Sequence, residues 1–143
     1  MRRGMLIVLC LLAVGMSVLA WRNSDRLPPG RPYKIARVIS GLPVPRDSRV
    51  LEFRDTWSGI DGDGDVRLVV QFIAMQFEEI ARSANGRGYR NLDSSGPDRR
   101  AIASLIGAPV HGLYRLSGSA KDDYELVVLD SGTERMYVLA ASQ

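Results

Sequence analysis

Along the chain the spacing of apolar side chains runs from two to about 3.6 residues and back to two. "RVLEFRD" (49–55) alternates, which places Leu51 and Phe53 on one face and Glu52 and Arg54 on the other. "VRLVVQFIA" (66–74) alternates too, with Val66, Leu68, Val70 and Phe72 inward and Arg67 and Gln71 outward. Period two over such lengths predicts half-buried strands. Val69 and Ile73 make the second face of the latter partly apolar, as in a central strand. From Met75 the period changes: Phe77, Ile80, Ala81 and Ala84 fall on one helical stripe, with Glu78, Glu79 and Arg82 on the wet side. That helix should stop near Asn85–Gly86, where a left-handed residue is expected. A shorter helix is predicted over Pro97–Ile106. Pro97 suits the first turn, Asp98 the positive helix end, and Gly107 the stop. Ile102, Leu105 and Ile106 would face the core.

The last third returns to strands, "GLYRLSG", "YELVVLD" and "ERMYVLA", the last two joined by the hairpin signature Ser131–Gly132–Thr133. The order ββααβββ predicts an α+β domain over residues 47–143. It would be an antiparallel sheet of about five strands with two helices on one face, following an N-terminal apolar helix.

Before that domain the pattern is of two kinds. Arg2 and Arg3 precede an unbroken apolar run over residues 5–21, the n-region and h-region of an export signal. The run lies at the lower limit of the roughly 17–25 residues that span a bilayer. Residues 1–21 therefore read as a signal peptide cleaved after Ala20 or as an uncleaved anchor. Trp21 and Arg22 suit the membrane interface, and Leu19–Ala20–Trp21–Arg22 is a poor polar cleavage region, which favours the anchor. Residues 22–46 hold Pro28, Pro29, Pro32, Pro43 and Pro45 with Gly30 and Gly41 between them, a Pro-rich linker. "PYKIARVIS" inside it, rich in β-branched residues, predicts a short strand. The expected location is the cell envelope, either anchored in the inner membrane and facing the periplasm or secreted into it. Cys10, the only cysteine, lies within the apolar run, so no disulfide or thiol chemistry is expected beyond it.

Charge narrows the partners. The 19 Lys and Arg exceed the 16 Asp and Glu by +3, and two of the basic residues are Arg2 and Arg3. There is no large basic surplus and no aromatic–basic interleaving, which argues against nucleic acid. Basic residues crowd 21–49, next to the apolar run, where they could meet anionic headgroups or simply solvate a linker. Acidic residues crowd 50–80.

The acidic excess centres on "DTWSGIDGDGD" (55–65). Asp61, Asp63 and Asp65 alternate as in calcium loops of the D-x-D-x-D type. Counting Asp61 as the first position of an EF-hand, Val66 stands where the loop needs glycine and Phe72 where it needs a bidentate glutamate. The preferred reading is a turn, since Asp-Gly pairs supply positive φ angles and aspartates bond nearby amides. A calcium-stabilised domain, or a small divalent-metal hydrolase using Asp61, Asp63 and Asp65, are the alternatives. No other cofactor is expected. Asp55, Trp57, Asp61 and Asp63 together suit an interaction surface for a basic protein partner or a cation.

His111 is the only histidine, and no G-x-S-x-G elbow accompanies it. "GDGDV" and "NGRGYR" lack the third glycine of a dinucleotide fingerprint. Tyr114, Tyr124 and Tyr137, with Tyr89 reaching in, would line a binding face or pack across strands. No catalytic residue is predicted, and the expected role is a binding or interaction domain.

"LPVPRDSRVLEFRDTWSGIDGDGD", "QFEEIARSANGRGYRNL", "HGLYRLSG" and "YELVVLDSGTERMYVLAAS" resemble a group of small, uncharacterised bacterial proteins. These carry an N-terminal export or anchor segment, a D-x-x-x-G-x-x-G-D-G stretch between strands and a closing hairpin of the form "YD…LYY". The resemblance covers residues 43–143 and is most specific from Asp55 to Gly64. Ser58 departs from a doubled glycine there, and Met136–Tyr137 replaces the aromatic pair. It implies a shared fold and an exported location, and no activity.

Overall fold

A computed structural model describes residues 12–18, 20, 30–56, 64–92, 97–118 and 123–142. The expected strand in "PYKIARVIS" is a helix instead, α1 (Arg31–Ser40). Pro32 sits in its first turn, where a missing N–H costs nothing, and Gly41 closes it at φ 66, donating to the Arg37 carbonyl at 2.9 Å. Pro32, Ala36, Ile39 and Ser40 are buried at helical spacing. Ile35, Val38 and Ile39 favour a strand locally, and packing overrides that preference. Ten residues of the stretch read as a linker are thus helical, and Leu42 and Val44 after them are buried as well.

The remaining elements are β1 (Arg49–Asp55), β2 (Gly64–Gln71), α2 (Ala74–Ala84), β3 (Arg90–Asn91), α3 (Pro97–Ile106), β4 (Gly112–Gly118), β5 (Tyr124–Asp130) and β6 (Arg135–Ser142). The fold is α+β with one antiparallel sheet of six strands in the order β1-β2-β6-β5-β4-β3. The expected five strands and the order ββααβββ are both corrected. α1 precedes β1, and β3 lies between α2 and α3. β3 is too short and polar to show a period; it is defined by the pairs Arg90↔Tyr114 and Asn91↔Leu113.

The expectation of two helices on one face is corrected as well. One core joins α1 and α2 to the sheet through Val66, Leu68, Val70, Leu129, Met136 and Val138. The other joins α3 to the opposite face through Val69, Tyr114, Leu126, Val128, Tyr137 and Leu139. β5 and β6 are therefore covered on both sides. This is why they read as continuous apolar runs rather than as alternation.

In β1 a bulge at Leu51 shifts the register: Val50 pairs with Val70, and Glu52 with Val69. Val50 and Phe53 consequently pack on the α1–α2 side, while Leu51, expected beside Phe53, is exposed. Residues 12–18 are helical. Among the described residues no helix is long and apolar enough to cross a membrane. Most of the run at 5–21 lies outside the described residues.

Candidate functional site

Of the acidic stretch, Trp57, Asp61 and Asp63 lie outside the described residues. Asp55 and Asp65, at its two ends, point to opposite faces of the sheet. Asp55 pairs with Val66 on the α1–α2 face, has a side chain only 7% exposed, and forms an ion pair with Arg31 of α1. It is therefore a tie between helix and strand rather than part of an open surface. Asp65 is on the other side. Its Oδ1 accepts from Thr56 Oγ1 at 2.6 Å, its N–H donates to the same hydroxyl at 2.9 Å, and its Oδ2 lies 3.7 Å from Arg54 Nε. One cation cannot be gripped by both carboxylates. Among the described residues no group of three His, Cys, Asp or Glu side chains could hold a metal.

His111 lies beside an acid, but the arrangement is not a relay. Its backbone N–H, not its ring, donates to Asp130 Oδ1 at 2.8 Å. The other donors to that buried carboxylate are the Gly132 N–H and the Thr133 hydroxyl, so Asp130 organises the β5–β6 turn. Gly112 follows with φ 113, and a Cβ there would come within 2.4 Å of the Leu129 carbonyl. The His111 ring is exposed, with Arg99 Nη2 2.9 Å from a ring nitrogen, while Arg99 Nε donates to the Val110 carbonyl at 3.0 Å.

Arginines finish two helices. At the C-terminus of α1, Arg115 donates to the Ile39 carbonyl, Arg87 to the Gly41 carbonyl, and the Tyr89 hydroxyl to the Ser40 carbonyl at 2.8 Å. These carbonyls have no partner within the helix, and the positive charges also suit the negative helix end. Burial pushes the Tyr89 phenol from 10.0 up to about 12, against the opposing pull of Arg115 and Arg87. At the C-terminus of α3, Arg67 donates to the Ile106 carbonyl at 2.9 Å and pairs with Glu52 at 2.9 Å.

α3 leaves a gap over the sheet. A half-open cleft of about 320 Å³ lies between Ala101, Ile102 and Leu105 of the helix and Leu116, Tyr124 and Leu126 of the strands. Leu105 was expected in the core; at 48% exposure it forms the cleft's rim, opposite Leu116 at 40%. Arg90, Asp98 and Tyr114 gather at one end. The Tyr114 hydroxyl donates to Asp98 Oδ2 at 2.8 Å, and the Arg90 guanidinium carbon stands 5.7 Å from the centre of the Tyr114 ring. The hydrogen bond to Asp98, then burial, then the Asp98 charge raise the Tyr114 pKa, with Arg90 pulling the other way. Tyr114 is therefore a fixed hydrogen-bond donor rather than a source of phenolate.

Of the four tyrosines read as a possible binding face, Tyr114 and Tyr124 line the cleft, Tyr137 is buried in the core beneath α3, and Tyr89 lies on the opposite face. Arg90, Asp98, Ala101 and Leu116 were not singled out as binding residues in the sequence. They meet through the two-residue pairing of β3 with β4 and the packing of α3 on this face of the sheet. An apolar hollow with a few polar groups at one end can hold a small molecule or a partner's side chain. Compared with protein families, curated proteins and solved structures, the chain gives no match in any of the three.

Proposed function

We propose that this chain is a non-catalytic binding domain of the bacterial cell envelope, exported or tethered through residues 5–21, that captures its ligand in the cleft under α3. The export signal in the sequence and the resemblance to small exported bacterial proteins support the location. The single observation behind binding is the cleft of about 320 Å³, walled by aliphatic and aromatic side chains, with Arg90, Asp98 and Tyr114 at one end. Several features support a binder over a catalyst. The Asp130 carboxylate is engaged by the β5–β6 turn, and the Tyr114 pKa is raised. Among the described residues lining the cleft there is no Ser, Thr, Cys, Lys or His.

The test is an NMR titration of the full chain, in phospholipid nanodiscs, with indole as a neutral apolar probe. Indole should shift amides of Pro97–Ile106 and Gly112–Gly118, and Ala101→Phe, which fills the cleft from its open side, should abolish those shifts with the fold intact. Shifts confined to other elements, or none, would remove the cleft from consideration. The N-terminus of the mature protein tests the tether: a start at Trp21 makes it a soluble exported protein.

A further inference from the structure

The charged groups at the end of the cleft differ in how far they are engaged. Asp98 accepts the hydrogen bond of the Tyr114 hydroxyl and lies in the first turn of α3, where a negative charge is stabilised by the helix's positive end. Arg90, exposed beside it, lies over the Tyr114 ring and makes no hydrogen bond or ion pair with its side chain among the described residues. A guanidinium offers five N–H donors in a planar fork that matches a carboxylate. The strand pairing Arg90↔Tyr114 fixes where that fork emerges, at the polar end of an otherwise apolar hollow.

Resting on the cleft as a binding site, we infer that its ligand is a small amphiphile with one carboxylate. The carboxylate pairs with Arg90, and the apolar chain lies among Ile102, Leu105, Leu116 and Leu126. The volume sets the size. About 320 Å³ is near the floor of the roughly 300–1,000 Å³ of ligand pockets. It holds one short chain or one ring system, and a two-chain phospholipid does not fit. A cationic amphiphile would meet Arg90 as a like charge, while Asp98 is already held by Tyr114.

The experiment titrates the ¹⁵N-labelled full chain, in phosphatidylcholine nanodiscs, with octanoate, octanol and octylamine, following amides of Pro97–Ile106 and Gly112–Gly118. A charge-assisted bidentate pair should make octanoate about tenfold tighter than octanol, with octylamine weakest. Arg90→Gln should bring octanoate down to the affinity of octanol. Octanol equal to octanoate, or octylamine tighter than both, overturns the carboxylate assignment but keeps the cleft as a binding site. If none of the three shifts those amides, both readings fall. Parallel discs containing phosphatidylglycerol separate the sources of the anion. Cleft shifts in those discs before octanoate is added would overturn a free amphiphile in favour of a lipid headgroup.

Discussion

Arg115 lies 5.2 Å over the ring of Tyr89 on the α1–α2 face of the sheet, and Arg90 lies 5.7 Å over the ring of Tyr114 on the α3 face. In the first pair both polar ends close the same helix: the guanidinium meets the Ile39 carbonyl and the phenol meets the Ser40 carbonyl. In the second pair the phenol is tied to Asp98, and the guanidinium is left facing the cleft. The same two residue types at nearly the same separation thus finish a helix on one side and frame an opening on the other. A pairing motif alone does not say which; the deciding factor is whether the carbonyl end of a helix is within reach to take the donors.

The packing beneath the two pairs should differ most. Leu129, fully buried in the α1–α2 core, is predicted to cost about 3–5 kcal/mol on Leu129→Ala, because the truncation opens a cavity within that core. Leu126, equally buried but bordering the cleft, should cost about 2 kcal/mol on Leu126→Ala, because an opening already lies beside it. Urea unfolding of both variants measures the difference. Equal costs would mean that the α3 face is as tightly packed as the other.

The arginines come next. Arg115→Ala removes the donor to a helix-end carbonyl and should cost about 1–2 kcal/mol.

A pH scan sharpens the same point from the tyrosine side. The folded-state pKa of Tyr89, about 12, lies above its unfolded value of 10.0. Its contribution to stability is therefore fully present below pH 10 and is lost as the pH rises through about 12. Allowing for its partial exposure, the loss is about 1 kcal/mol. Tyr89→Phe should be flatter than the wild type over that window in urea unfolding. An identical slope would mean that burial of the phenol contributes nothing.

The smallest effect is expected for Arg90→Ala, under about 0.5 kcal/mol by the same unfolding measurement, since among the described residues its side chain meets the face of a tyrosine and makes no ion pair.

Much of this architecture is legible in the chain, and the gaps have physical reasons. α3 occupies Pro97–Ile106 as its proline, aspartate and glycine signals predict, and the stripe of Phe77, Ile80 and Ala84 marks α2. α1 escapes because Ile35, Val38 and Ile39 are β-branched and prolines flank it, so its burial against the sheet outweighs its local preference. β3 escapes because two polar residues carry no period. The division of helices between faces escapes because Leu126–Leu129 are apolar at every position, which signals burial on both sides without saying which helix covers which. The site is legible only in part. Tyr114 and Tyr124 are two of the four tyrosines that the sequence offers as a binding face, whereas Arg90 and Asp98 join them through contacts between separate segments. The aspartate stretch drew attention by density of charge, yet its two described acids are fastened to opposite faces.

The central claim is that the α3 face binds while the α1–α2 face only supports. Amide hydrogen exchange of the full chain with and without saturating octanoate tests it most directly. The account predicts slower exchange in Pro97–Ile106 and Gly112–Gly118, with Arg31–Ser40 and Ala74–Ala84 unchanged. Slowing that is centred on α1 and α2, or spread evenly over the chain, would contradict it.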